Sequence, residues 1–295
     1  MNNGLVDLHV HSNRSSDGDF SPEDLVRFAR EGGFVALSIA DHDTVAAYPQ
    51  AVEAGRAAGV EVIPSMEVTA LYDGREFHCL LPFLDWESPT IAKIALRVTE
   101  GRYAEARERV ENLRRLGFEI SWDDVAAKSP ETAPLGVTIA QILLDKPESR
   151  LNPRLRDYFD KDAVRPRGPS AFYRDYFMDG KPASVPKRHI PLLEVLSVAP
   201  ESGAVPVLSH PGAYFQNTTR EDLACLKDRG LHGVEVYTSY HDPAQTAVYA
   251  AAARDLDLVP TAGSDFHGRI KPHVAFGAIK DGGYWMVEAL SERRP

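Results

Sequence analysis

Residues 5–43 read LVDLHVHSNRSSDGDFSPEDLVRFAREGGFVALSIADHD. They predict a strand, a capped helix and a second strand. In the first segment Val6, Leu8 and Val10 alternate with Asp7, His9 and His11, so apolar and polar side chains fall on opposite faces. Ser21-Pro22-Glu23-Asp24 is a helix start, with Ser as cap, Pro at the first helical position and acids in the first turn. The apolar run Phe34–Ala40 leads into Asp41-His42-Asp43. Residues 48–59 read as a second helix closed by Gly, and VEVIPSMEV (60–68) and EFHCLLPF (76–83) as further strands. This βαβα rhythm points to a parallel sheet or barrel.

The rhythm breaks in the middle of the chain. From Thr90 to Leu116 the pattern is helical and rich in Arg and Glu. The segment SWDDVAAKSP (121–130), a helix-like run at 137–144 and a Pro-punctuated segment from Lys146 to Pro186 follow. Alternation then resumes: helix 189–203, strand Ala204–Ser209, helix 220–230, strand 232–238, helix 242–257 and a strand ending at Gly263. The expected organisation is a barrel domain from 1–99 and 187–295, with a helical subdomain, 100–186, inserted into it.

Composition narrows the functional classes. The chain of 295 residues is long enough to bury a large core. No apolar run approaches the ~20 residues that span a bilayer, so no membrane partner is expected. The start, MNNGLVDLHVH, lacks the basic and apolar regions of a secretory signal. Cys79 and Cys225 do not make a disulfide framework, which suggests reduced thiols and a cytoplasmic setting. The net charge is −10, unevenly spread: residues 101–190 hold 17 Lys/Arg against 14 Asp/Glu, and the remainder 16 against 29. An acidic body disfavours long nucleic acids, whose affinity comes from neutralising many phosphates. The basic middle suits a small anion better.

Histidines and acids recur at predicted strand ends. His9 and His11, two residues apart on a strand, can chelate one ion. Asp7 beside them would orient a ligand histidine. Ser16-Asp17-Gly18 and Asp41-His42-Asp43 follow; Glu67 is a carboxylate able to bridge two ions, and His78 lies within the next strand. Far downstream come Ser209-His210-Pro211-Gly212 and Gly263-Ser264-Asp265-Phe266-His267. Nitrogen and carboxylate donors gathered this way are what a multi-metal hydrolase needs.

Together these motifs resemble the PHP family, named for polymerase and histidinol phosphatase. D-L-H-x-H-S, S-D-G, the DHD turn, Glu67, His78, S-H-P and G-S-D-x-H occur in the family's order, over residues 5–80 and about 184–280. The resemblance implies a distorted (β/α)7 TIM-like barrel with two or three divalent ions. His9, His11, Glu67 and Asp265 would hold the first. Glu67, His78 and His210 would hold the second, and Asp17, His42 and His267 the third. Mn²⁺ is favoured, and Fe²⁺ or Zn²⁺ also suits mixed nitrogen and oxygen ligands. The chain is most similar to the bacterial branch that hydrolyses small phosphate esters, including nucleoside 3′,5′-bisphosphates. Lys181–Pro186, Ser121–Val125 and Gly263–Gly268 carry that likeness. It departs from the branch at Leu135–Ala140, which stands where an Arg-Pro-His run is expected.

The implied reaction is hydrolysis of a phosphate monoester by metal-bound hydroxide, with AMP or phosphate as bound product. His42 or His210 is the candidate to protonate the leaving group. Candidate phosphate anchors are Arg102, Arg107, Lys181, Lys187, Arg188 and Arg269, because guanidinium and ammonium groups grip phosphate oxygens. Tyr103, Tyr173, Tyr214 and Tyr240 are candidates to stack on a base. The competing readings are a histidinol phosphate phosphatase, a phosphodiesterase or exonuclease on short oligonucleotides, an amidohydrolase-like C–N hydrolase, and a metal or nucleotide sensor without turnover.

Overall fold

A computed structural model describes residues 4–128, 133–159 and 168–295. The chain divides into two compact units, one of residues up to Val98 and from His189 onward, the other Thr99–Arg188. The fold is mixed α/β. Among the described residues no helix is long and apolar enough to cross a membrane.

The first unit opens with β1 (Leu5–Val10), α1 (Pro22–Glu31), β2 (Phe34–Ile39), α2 (Tyr48–Ala58) and β3 (Glu61–Val62). The Ser21 hydroxyl caps α1 by accepting from the Asp24 N–H. β1, β2 and β3 pair in parallel. β1 is buried on both faces. Val6 and Leu8 join one apolar cluster and Val10 another, and His9 and His11 are fully buried between strands.

β4 (Glu67–Tyr72) and β5 (Arg75–Leu80) depart from the expected parallel pattern. They form an antiparallel hairpin. Its tip, Asp73-Gly74, has φ of 48° and 70°, the left-handed pair a tight two-residue turn requires. Pro64 explains a second departure. It cannot donate to a ladder, so the run 60–68 splits into β3 and β4, and Glu67 begins a strand instead of ending one.

After α3 (Pro89–Arg115), which runs into the second unit, the first unit resumes with β6 (Ile190–Pro191), α7 (Leu192–Val198) and β7 (Val207–Leu208). Pro206 shortens this last strand from the expected six residues to two. α8 (Arg220–Lys227), β8 (Gly233–Thr238), α9 (Pro243–Asp255), β9 (Val259–Gly263) and α10 (Trp285–Ser291) complete the unit. The order of the larger sheet is β6-β4-β5-β7-β8-β9. Two isolated bridges tie it to the β1–β3 sheet, Val10 to Phe266 and His42 to Glu67. Both bridges lie where the ionisable motifs sit.

The second unit holds part of α3, then α4 (Trp122–Lys128), α5 (Gly136–Asp145) and α6 (Pro169–Tyr176). Its core gathers Leu113, Phe118, Ile139, Leu143 and Phe172. The Leu135–Ala140 segment belongs to this packing: Ile139 and Ala140 are core residues and Gly136 lies against the Tyr173 and Phe177 rings. Part of the Pro-punctuated stretch, 160–167, and residues 129–132 lie outside the described residues.

Buried Tyr48 holds the turn that leads into β4. Its hydroxyl donates to the Ile39 carbonyl and accepts from the Ser65 N–H at 2.5 Å. Tyr48→Phe would leave both backbone groups buried and unpaired. A loss of about 1–3 kcal/mol in unfolding free energy is expected by denaturant titration.

Candidate metal centre

Glu67 stands at the middle of the site, buried at the start of β4. Its two oxygens face different histidines. Oε2 lies 3.3 Å from His9 Nε2, 3.3 Å from His11 Nε2 and 3.2 Å from His42 Nδ1. Oε1 lies 3.0 Å from both His78 Nδ1 and His210 Nε2. The antiparallel pairing of β4 with β5 sets His78 opposite Thr69 and so brings it beside Glu67.

Two further carboxylates complete the cluster. Asp265 Oδ1 is 3.1 Å from His11 Nε2 and 3.4 Å from both His9 Nε2 and His267 Nδ1. Asp17 Oδ2 is 3.0 Å from His267 Nε2 and 3.6 Å from His42 Nε2. Donor atoms converge in three groups: His9, His11, Glu67 and Asp265; His42, Glu67 and His78; and His11, Asp17, His42 and His267. His210 meets the second group through Glu67 Oε1 and packs edge-on against the His78 ring, and His11 joins the third as well as the first. All nine residues singled out in the sequence therefore come together.

The donor chemistry fits divalent ions. His9 Nε2 and His11 Nε2 point at each other across 3.1 Å. Glu67 Oε2, Asp265 Oδ1 and His42 Nδ1 are buried without a hydrogen-bond partner of good geometry. Buried polar atoms left in that state are costly unless something else satisfies them. The cluster can bind metal through its imidazoles and carboxylates.

The surrounding groups fix these donors. His9 Nδ1 lies 3.1 Å from Glu235 Oε1, and the His210 N–H donates to Glu235 Oε2 at 2.8 Å. Glu235, fully buried on β8, thus orients one imidazole and anchors the backbone of another. Sequence reasoning gave the orienting role to Asp7. The structure instead sets the Asp7 carboxylate on the backbone N–H groups of Ser264 (2.9 Å) and His9 (3.3 Å). The signal for Glu235 was present as one acid inside the apolar alternation Gly233-Val234-Glu235-Val236. Asp41 accepts from the Ser12 N–H and hydroxyl, both at 2.6 Å, which clamps the loop after β1. Asp43 does not cap α2; its carboxylate accepts from the Thr69 N–H at 3.2 Å.

Three of the seven described non-glycine residues with positive φ lie here. Asp43, His210 and Asp265 have φ of 57°, 27° and 54°, angles uncommon outside glycine. The electrostatic balance is equally particular. Burial would raise the Glu67 carboxyl, but His9, His42 and His78 hold it well below its ordinary value. Burial would depress His9, yet Glu67, Glu235 and Asp265 lift it well above the usual histidine range. Burial holds His42 well below that range despite Glu67 and Asp17. Burial likewise lowers His210, against the pull of Glu67.

The expected phosphate anchors have these surroundings within their own units. Arg269 pairs with Asp19, its Nη2 2.9 Å from Oδ1. Within the second unit, Arg188 pairs with Glu108 at 2.8 Å and Lys187 lies 3.7 Å from Asp179. Arg107 covers the Trp122 ring, Arg102 is buried and Lys181 is exposed. Tyr103 packs near Trp122, and Tyr173 near Phe177. Tyr240 is different: its ring centroid is 4.8 Å from that of His210. Tyr214 packs edge-on against Phe215, which touches both His78 and His210.

An α/β fold with buried His and carboxylate clusters between strand ends defines a metal-dependent hydrolase. Comparison with known proteins narrows this. Residues 7–85 match the PHP domain. A phosphoribosyl 1,2-cyclic phosphate 1,2-diphosphodiesterase of Eggerthella lenta is 30% identical over 92% of this chain and 98% of its own. A 3′,5′-nucleoside bisphosphate phosphatase of Chromobacterium violaceum is 26% identical over 89% and 87%. A 5′-3′ exoribonuclease, Rnm, of Salmonella typhimurium is 28% identical over 89% and 85%. A solved structure from Bifidobacterium adolescentis, assigned as a metal-dependent phosphoesterase, superposes with a TM-score of 0.84 at 27% identity, covering 98% of this chain and 96% of that one. The chain belongs to the PHP family and is a metal-dependent phosphoesterase.

Two substitutions test how the centre is supported. Glu235→Gln should retain the fold and lower metal affinity by roughly 10–100-fold, read by competition with a chelating dye. Gly263→Ala should do more damage. A Cβ there would lie 2.2 Å from Glu235 Oε1 and 2.3 Å from His9 Cβ. Overpacking of this kind costs about 1–3 kcal/mol, and both the melting temperature and the bound metal per chain should fall.

Proposed function

We propose that this enzyme hydrolyses a phosphate ester carried by a small nucleotide or phosphoribosyl group, nucleoside 3′,5′-bisphosphates among them. The observation that carries the reading is the division of Glu67, with Oε2 facing His9, His11 and His42 and Oε1 facing His78 and His210. That is the arrangement of a carboxylate bridging two ions. The names of three similar proteins support the substrate class, since each describes cleavage of a phosphate ester on a phosphoribosyl or nucleotide group.

In this reading His9, His11, Glu67 and Asp265 hold one ion, Glu67, His78 and His210 a second, and Asp17, His42 and His267 a third. Mn²⁺ is the favoured metal, with Fe²⁺ or Zn²⁺ suited to the same donors. Bound ions would supply an activated water and neutralise phosphoryl charge. His42 has carboxylates beside both ring nitrogens, which suits a ligand better than a proton donor. His210 Nε2 likewise faces Glu67 as a ligand, and a metal-bound imidazole cannot also protonate the leaving oxygen, so neither histidine is given that role while it holds an ion. The two bridges between the sheets, Val10–Phe266 and His42–Glu67, support reading the first unit as the distorted seven-stranded barrel. The second unit is then the helical insertion, and its core packing at Gly136–Ala140 argues against a phosphate site there.

The test is phosphate release with Mn²⁺ over a panel of adenosine 3′,5′-bisphosphate, a ribose 1,2-cyclic phosphate, AMP, histidinol phosphate and short RNA. Release from the nucleotide and phosphoribosyl esters, abolished by a chelator and by His9→Ala in a folded protein, is expected. Full activity in His9→Ala, or silence across the panel with metal measured in the protein, would refute the reading.

A further inference from the structure

Lys271 was not among the residues singled out in the sequence, yet it reaches the metal centre. It follows His267 through a short 3₁₀ turn, where its N–H donates to the Gly268 carbonyl at 3.2 Å and its carbonyl accepts from the Val274 N–H at 3.0 Å. Its ammonium is ion-paired with Asp265 Oδ2 and lies 4.9 Å from the centroid of the Tyr240 ring. The side chain is 19% exposed, so it is shielded but reaches solvent. Asp265 is thereby shared: Oδ1 faces His9, His11 and His267, and Oδ2 faces Lys271.

Lys271 brings a cation to the Asp265 side of a centre that would hold dications. Among the nine clustered side chains only Asp17, Glu67 and Asp265 are acidic. Buried Glu235, Asp7 and Asp41 add negative charge around the cluster, but they are engaged by His9, Ser264 and Ser12, whereas Lys271 is paired with the ligand Asp265 itself and would compete with an ion for it. A cation held beside dications is unfavourable unless an anionic ligand joins them. A phosphoryl group bound at the ions meets this need. An ammonium donates to phosphate oxygens and strengthens its hold as charge develops on them.

We propose that Lys271 binds a phosphoryl oxygen of the substrate beside the Asp265 side of the centre, the anchoring role that the sequence suggested for Arg102, Lys181, Lys187, Arg188 or Arg269. This rests on the phosphoesterase reading above. The experiment is calorimetric titration of inorganic phosphate into the Mn²⁺-loaded full chain, with metal content measured in each protein. Lys271→Gln keeps a donor for Asp265 and removes the charge. It should hold the wild-type number of ions and bind phosphate roughly tenfold or more weakly. KM for the panel's best ester should rise in step. Lys271→Arg should recover much of the phosphate affinity and provides the folded control if Lys271→Gln is unstable. Unchanged phosphate affinity in Lys271→Gln at full metal content would overturn the proposal. So would loss of metal in that variant or failure of Arg to restore binding, either of which would make Lys271 only a support for Asp265. Wild-type protein that holds metal but binds no phosphate would overturn it as well. These outcomes concern a bare anion, so they stand apart from whether any panel ester is hydrolysed.

Discussion

A single buried carboxylate organises this structure. Glu67 is removed from water and surrounded by imidazoles within 3.0–3.3 Å of its two oxygens. An isolated charge in that position would be severely unfavourable, so everything around Glu67 must supply positive charge or hydrogen bonds. The Ser209 hydroxyl donates to Oε1 at 3.0 Å, and metal ions would supply the remaining charge.

The backbone pays for this arrangement in recognisable ways. The hairpin at Asp73-Gly74 reverses the chain so that His78 returns beside Glu67. Pro64 ends β3 early, and Tyr48 holds the following turn through Ser65. The sheets touch at the two bridges, and there Asp43 and Asp265 adopt left-handed angles that let chain direction change while the side chains stay inside. Such strain persists only because dense packing and hydrogen bonding over-determine it.

Much of the site was legible in the sequence because its ligands are His and Asp in short, regularly spaced motifs. His9 and His11 share one face of a strand by period alone, and Asp265 and His267 share the same spacing. Other features escaped that reading for physical reasons. Glu235 is one acid in an apolar strand, and its value comes from His9 more than 200 positions away. Asp7 looked like the orienting group because it is close in sequence, but its side chain satisfies backbone donors instead. The hairpin was signalled by Asp73-Gly74, yet the flanking rhythm favoured a parallel reading.

The sequence by itself determined many of the local elements, the class of ligand chemistry and the absence of a long apolar span, because these depend on periodicity, caps and residue type, while Pro64 and Pro206 cut strands that the apolar runs left whole. Only the tertiary structure decided which oxygen of Glu67 faces which imidazole, that Glu235 and not Asp7 meets the His9 ring, and that Lys271 reaches Asp265. These depend on distances between residues far apart in the chain, and such distances are set by sheet register and turn geometry.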